Sequence, residues 1–293
     1  MSIIKKLVKK KVYTPPHSFV AEPIYEVIMG STAYGVSGDS SDVDVYAVCI
    51  PPKEMVFPTS AGYIPGFGKA PTNFEVTQQH HMMLGQKEYD VAIYSIINFF
   101  RLCADNNPNM IDSLFVPSEC ITSINNIGTI MRENRKLFLH KGAYNKFKGY
   151  AYGQLKKVRT KVPTGKRKEN VDKIGYDSKF FYHIIRLLNE CEQILMECDL
   201  NLRTSKEELK GIRRGDYTLE QLEQKFETKV VLLDELYLKS KLRLAPDMAH
   251  LKTILLTCLE EHFGSLDNLI DASNSTKALM FKIQVEKLLK EYS

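Results

Sequence analysis

The chain is 293 residues long, 44% hydrophobic, with a formal net charge of +5, enough for one large domain or two compact ones with a sizeable core. Its longest apolar runs, such as VAIYSIINFF at 91–100, fall well short of the roughly 20 residues that cross a bilayer, so no membrane span is expected. The opening MSIIKKLVKKKVYTPP lacks the uninterrupted apolar centre and the cleavage site of a secretory signal; it reads instead as a short basic helix on a surface.

In chain order, YEVIM (25–29) is expected as a buried strand ending at Gly30, and VDVYAVCI (43–50) as a second one stopped by Pro51 and Pro52. Residues 51–81, with Pro and Gly clustered between 58 and 68, read as a long irregular excursion. EYDVAIYSI (88–96) is a third strand candidate that runs on into a helix through FFRLCA. In NNPNMIDSLF, Asn107 is placed to cap a helix with Pro108 in its first position, and Asn109 and Asp112 belong to the same helix start. From about 123 the pattern turns mostly helical. Residues 175–196 carry an apolar stripe of Phe180, Ile184, Leu187, Leu188 and Leu195, and further helices are expected at 218–241, 246–263 and 276–291. Six cysteines, several inside apolar runs and none at metal-type spacing, predict free thiols in a reducing cytoplasm.

The stretch GSTAYGVSGDSSDVDVYAVCI (30–50) carries the chemistry. Asp42 and Asp44 stand one residue apart at the mouth of a strand, so their side chains face the same way, roughly 7 Å apart. Two such carboxylates can grip a pair of hard cations such as Mg²⁺, which take oxygen ligands and leave positions for phosphates. Asp90, in the third strand, is the first candidate for a third carboxylate, with Glu75 and Glu88 as fallbacks. Gly30 and Ser31 form a turn whose backbone N–H groups can cradle phosphate oxygens. An EF-hand loop is excluded, because counting from Asp39 or Asp42 yields neither the Gly at position 6 nor the Glu at position 12. His80 and His81 are not expected to form a zinc site, since adjacent residues point apart in regular structure and no third ligand stands near.

A Gly-Ser pair, ten residues, Asp-Val-Asp and a later strand Asp resemble the nucleotidyltransferase signature of the DNA polymerase beta superfamily. GSTAYGVSGDSSDVDVYAV, EYDVAIYSI, NNPNMIDSLFVP and GYDSKFFYHIIRLL, in that order, are similar to the nucleotidyltransferase family associated with RNA ligases. The resemblance covers about 15–225 and implies an α+β fold: a small mixed β-sheet nucleotidyltransferase domain, 1–120, followed by a helical domain, 121–293. It implies transfer of a nucleotide from an NTP to an acceptor hydroxyl with release of pyrophosphate, using two Mg²⁺ ions, with Mn²⁺ as a substitute, held by Asp42, Asp44 and Asp90. The acceptor is left open between an RNA end, a protein side chain and a small molecule. A non-catalytic RNA-binding protein on the same fold is the remaining alternative.

Lys179, His183 and Arg186 lie at i, i+4 and i+7 on one helical face opposite the apolar stripe. Such a face is ordinarily just solvated, but a triphosphate carries charge that a cationic helix would neutralise. Residues 131–173 hold fourteen Lys and Arg against three Asp and Glu, interleaved with Phe138, Tyr144, Phe147, Tyr150 and Tyr152. Cations that track phosphates and rings that stack bases suit an RNA backbone, against the plainer reading of a helix with an aromatic core side and a solvated lysine side.

Overall fold

The N-terminal helix α1 (Ile3–Lys9) follows the capping residue Ser2, and strand β1 (Tyr25–Ile28), one helical turn α2 (Gly30–Ala33) and strand β2 (Val43–Cys49) come next. After α3 (Lys53–Val56), the chain forms a hairpin of β3 (Val76–Leu84) and β4 (Lys87–Ser95), which runs directly into α4 (Ile96–Ala104). Then come α5 (Pro108–Phe115), β5 (Ile121–Ile124), α6 (Asn126–Glu133), α7 (Gly142–Thr160), α8 (Lys166–Ile174), α9 (Ser178–Glu197), α10 (Lys206–Arg214), α11 (Leu219–Lys239) and α12 (Met248–Phe263). This computed structural model describes residues 2–38, 42–66, 68–69, 71–160, 162, 164–264, 266 and 284–285. The helix expected at 276–291 lies outside the described residues except for 284–285.

The architecture is α+β. The described strands form one mixed sheet in the order β3-β4-β2-β1-β5. β1 runs antiparallel to both β2 and β5, β2 and β4 are parallel and in register from Val43↔Tyr89 to Cys49↔Ser95, and β3 closes the edge antiparallel to β4. Two stretches depart from expectation. Residues 76–81, read as the end of an irregular excursion, begin β3, and β5 completes the sheet from beyond residue 120. The sequence carries no mark of β3 because an edge strand buries little: of VTQQHHMML only Met82 is buried, so no alternation of apolar residues distinguishes it.

Apolar alternation on β2 and β4 fills the interior with Val45, Ala47, Val91 and Ile93, each at most 1% exposed. Helix α5 forms as its cap dictates, with the Asn107 side chain accepting from the N–H groups of Asn109 and Met110 and Pro108 leading the first turn. α9 packs against α7, α10 and α11, and its stripe of Phe180, Ile184, Leu187, Leu188 and Leu195 is buried. The N-terminal helix is not merely a surface feature: Ile4 and Leu7 are fully buried. Buried Glu26 accepts from Ser2 Oγ at 2.6 Å and from the N–H groups of Ile3 and Ile4 at 2.6 and 3.0 Å, so a carboxylate meets the positive end of the helix.

The chain divides into two compact units, Met1–Ile50 with Glu75–Cys258, and Pro51–Phe74 with Leu259–Ser293. The sheet and helices α4 to α11 belong to the first. In the second, the rings of Phe57 and Phe263 meet edge-on with centroids 6.4 Å apart. All six cysteines are free thiols, and no helix among the described residues is long and apolar enough to cross a membrane.

Candidate active site

The in-register parallel pairing of β2 and β4 makes Asp44 and Asp90 direct neighbours. Parallel strands in register point opposed residues to the same face, about 4.8 Å apart. Asp42 sits one residue before β2, exposed, on the same side as Asp44 by the two-residue period. The Asp44 carboxyl titrates above the usual carboxylate range, first because it is desolvated and then because the charges of Asp90 and Asp42 repel its ionisation. Lys179 and His80 pull it back. Five groups drawn from β2, the residue before it, β3, β4 and the first turn of α9 therefore share one electrostatic neighbourhood.

The turn after β1 starts against this cluster. The Met29 N–H donates to the Asp44 carbonyl at 2.7 Å, and the next residue, Gly30, has φ +61°. A Cβ on Gly30 would lie 1.9 Å from Asp44 Oδ2, so both the left-handed backbone and the close carboxylate demand glycine here. The leading N–H groups of Gly30 and Ser31 precede any acceptor within their own turn. The loop 39–41 lies outside the described residues.

The two oxygens of Asp90 are held from the neighbouring strand. His81 N donates to Oδ1 at 2.8 Å, and His80 Nδ1 lies 3.2 Å from Oδ2. This revises the expectation that no further ligand stands near the two histidines. β3 carries a bulge between Gln79 and Met82, with His81 at φ 58°, so both histidines oppose Asp90 alone. His81 Nδ1 also meets the Glu88 carboxylate, and the ligand atoms of His81, Glu88 and Asp90 all lie within 4.8 Å of one another. Of the two fallback glutamates, Glu88 lies two residues from Asp90 on the same strand. The Glu75 carbonyl accepts from Ser95 N, at the far end of β4.

The expected cationic face of α9 is revised. Lys179 is exposed beside the carboxylates. His183 is half-buried, and desolvation, followed by the charges of Arg186 and Lys179, pulls its pKa down to about 3, so it offers a neutral imidazole. Arg186 is 5% exposed and engaged with Asp112 at 2.5 Å and with both oxygens of Glu190 at 3.0 Å. It is therefore unavailable to a triphosphate. A helical wheel assigns Arg186 to the solvated side because its acidic partner Asp112 lies 74 residues away in sequence. Asp112, read as part of a helix start, is fully buried; an acid flanked by the apolar pairs of MIDSLF is the available signal.

The basic stretch 131–173 is also partly spent within the fold. Lys136, Lys146 and Lys148 pair with Asp199, Asp105 and Asp234, Arg132 donates to the carbonyls of Leu114 and Val116, and Phe138 and Phe147 are core residues. Tyr150 and Tyr152 stay 41% and 45% exposed, followed on α7 by exposed Lys156 and Lys157. The charge of Lys157 is felt at His183.

These features, a carboxylate pair on parallel strands and a glycine turn closing on it, coincide with a family match over residues 5–231 to RlaP, the RNA repair pathway DNA polymerase beta family. The chain belongs to this family, and so is a nucleotidyltransferase of the DNA polymerase beta superfamily. Curated proteins yield no match. Among solved structures, a nucleotidyltransferase-like protein from Exiguobacterium sibiricum 255-15 is 12% identical over 99% of this chain and 90% of that one, with a TM-score of 0.29.

Proposed function

We propose that this protein transfers an NMP from an NTP to the hydroxyl of an RNA end, releasing pyrophosphate, with Asp42, Asp44 and Asp90 holding divalent cations. The observation that carries this reading is the register of Asp44 with Asp90 beside the Gly30 turn. The donor set fits such ions: it offers carboxylate oxygens, which hard cations prefer, and the desolvation and mutual repulsion that lift the Asp44 pKa are what a cation between the carboxylates would offset. Bound there, Mg²⁺ or Mn²⁺ would neutralise charge on the triphosphate oxygens.

The protein's own groups supply positioning. The N–H groups of Gly30 and Ser31 receive phosphate oxygens, and the Lys179 ammonium balances their charge. The acceptor oxygen forms a bond to the α-phosphorus as the bond to the bridging oxygen breaks, and pyrophosphate leaves with that electron pair. Asp90, oriented by His80 and His81, takes the acceptor's proton. RNA as acceptor is supported by the family's repair association and by the exposed Tyr150, Tyr152, Lys156 and Lys157 on α7, where rings stack bases and lysines meet phosphates.

The test is incubation with each labelled NTP, Mg²⁺ and a cellular RNA pool. Label should enter RNA, and Asp44→Asn should abolish it. Label appearing in a protein band or a small molecule would replace the acceptor, and no labelled product of any kind would refute the transferase chemistry.

A further inference from the structure

Behind the glycine turn lies a buried charge cluster that the transfer chemistry does not use. Tyr34, the residue that ends α2, is 3% exposed. Its hydroxyl donates to Asp112 Oδ2 at 2.7 Å and accepts from Arg186 Nη1 at 2.7 Å, while the guanidinium carbon stands 4.4 Å from the centre of its ring. Glu190, one turn along α9, completes the ion pairing of Arg186. Three separate parts of the chain, the turn, α5 and α9, therefore meet at one guanidinium.

Two further arginines reach the same loop. Arg203 Nε donates to the Ala33 carbonyl at 3.4 Å, and Arg213 Nη1 donates to the Val36 carbonyl at 2.7 Å. Residues 33–36 are thus held from the helical side at two carbonyls and one side-chain hydroxyl. Burying one arginine with two carboxylates is costly, and apolar residues of similar volume would serve packing at least as well. The carboxyls of Asp112 and Glu190 are both pushed up in pKa, first by desolvation.

We propose that Tyr34 and Arg186 are positioning residues that lock the Gly30–Ser31 turn to α9, fixing the phosphate-holding N–H groups relative to Lys179 at the start of that same helix. The inference rests on the nucleotidyltransferase reading and deepens it, since both groups assigned to the triphosphate are tied to a single buried pin. Oxyanion-type donors work by being preorganised, and a four-residue turn has too few contacts of its own to stay fixed. Loss of the pin should therefore appear in nucleotide binding and not only in stability.

The experiment compares full-length wild type with Tyr34→Phe and, as a control, Tyr25→Phe. Tyr25 is likewise buried, and its hydroxyl donates to the Ser113 carbonyl at 2.8 Å and accepts from Arg132, groups other than those that meet at Arg186. Each protein is titrated with each of the four NTPs in Mg²⁺ by calorimetry, melted, and followed by amide hydrogen exchange. Both variants should melt lower, but Tyr34→Phe alone should weaken the bound NTP by about tenfold, as loss of a hydrogen bond to a charged group implies. Tyr34→Phe alone should also speed exchange over residues 30–36. Wild-type affinity and exchange in Tyr34→Phe, or equal weakening in both variants, would overturn the pin while leaving the nucleotidyltransferase reading intact. Failure of the wild type to bind any NTP would overturn both.

Discussion

His183 shows the cost of burying a titratable ring beside cations. Its pKa of about 3 in the folded protein lies below the ~6.5 of a histidine in an unfolded chain, so unfolding takes up a proton whenever the pH is between those values. The stability tied to the neutral ring is complete above about pH 6.5 and is lost progressively as pH falls toward 3. Melting curves across that window should drop more steeply for wild type than for His183→Gln, and superimposable curves would contradict the assignment. Residue identity was legible at some of these positions and not at others. Gly30, Asp44 and Asp90 could be picked out because a turn, a strand period and an acid in an apolar run are local signals. Arg186 could not, since its environment is made by Asp112 and Tyr34, and a charged residue inside a helical pattern looks solvated until its partner is known.

Helix α7 divides its cations between fold and surface. Lys146 and Lys148 are paired with Asp105 and Asp234, whereas Lys156 and Lys157 follow the exposed Tyr150 and Tyr152. Replacing Lys156 and Lys157 together with Ala should reduce the slope of log affinity against log salt for single-stranded RNA by about 1.4, at roughly 0.7 per phosphate contact. Lys146→Ala with Lys148→Ala should lower the melting temperature and leave that slope alone; the opposite pattern would place RNA elsewhere. Most elements were readable for ordinary reasons: β1, β2 and β4 from apolar runs, α5 from its Asn-Pro start, α9 from its stripe. β3 was not, because its exposed polar face carries no periodicity. With it went the bulge that sets His80 and His81 opposite Asp90.

At the scale of the molecule, a mixed sheet supplies the carboxylates and the helices that follow it supply Lys179 and the arginines that hold the turn. The parallel register of β2 with β4 could not be derived from two strand patterns separated by the segment 51–81, since the pairing depends on β3 taking the sheet edge. Asp44 is desolvated and repelled by two neighbouring carboxylates, a strain a structural strand would have no reason to keep. The most direct measurement is thermal melting of wild type and Asp44→Asn at neutral pH, each with and without Mn²⁺ and NTP. The account predicts that Asn, which relieves the repulsion, melts above wild type without ions, and that Mn²⁺ with NTP raises the wild type alone. A variant that melts below wild type without ions and gains as much from Mn²⁺ and NTP would contradict the convergence of these carboxylates on a cation.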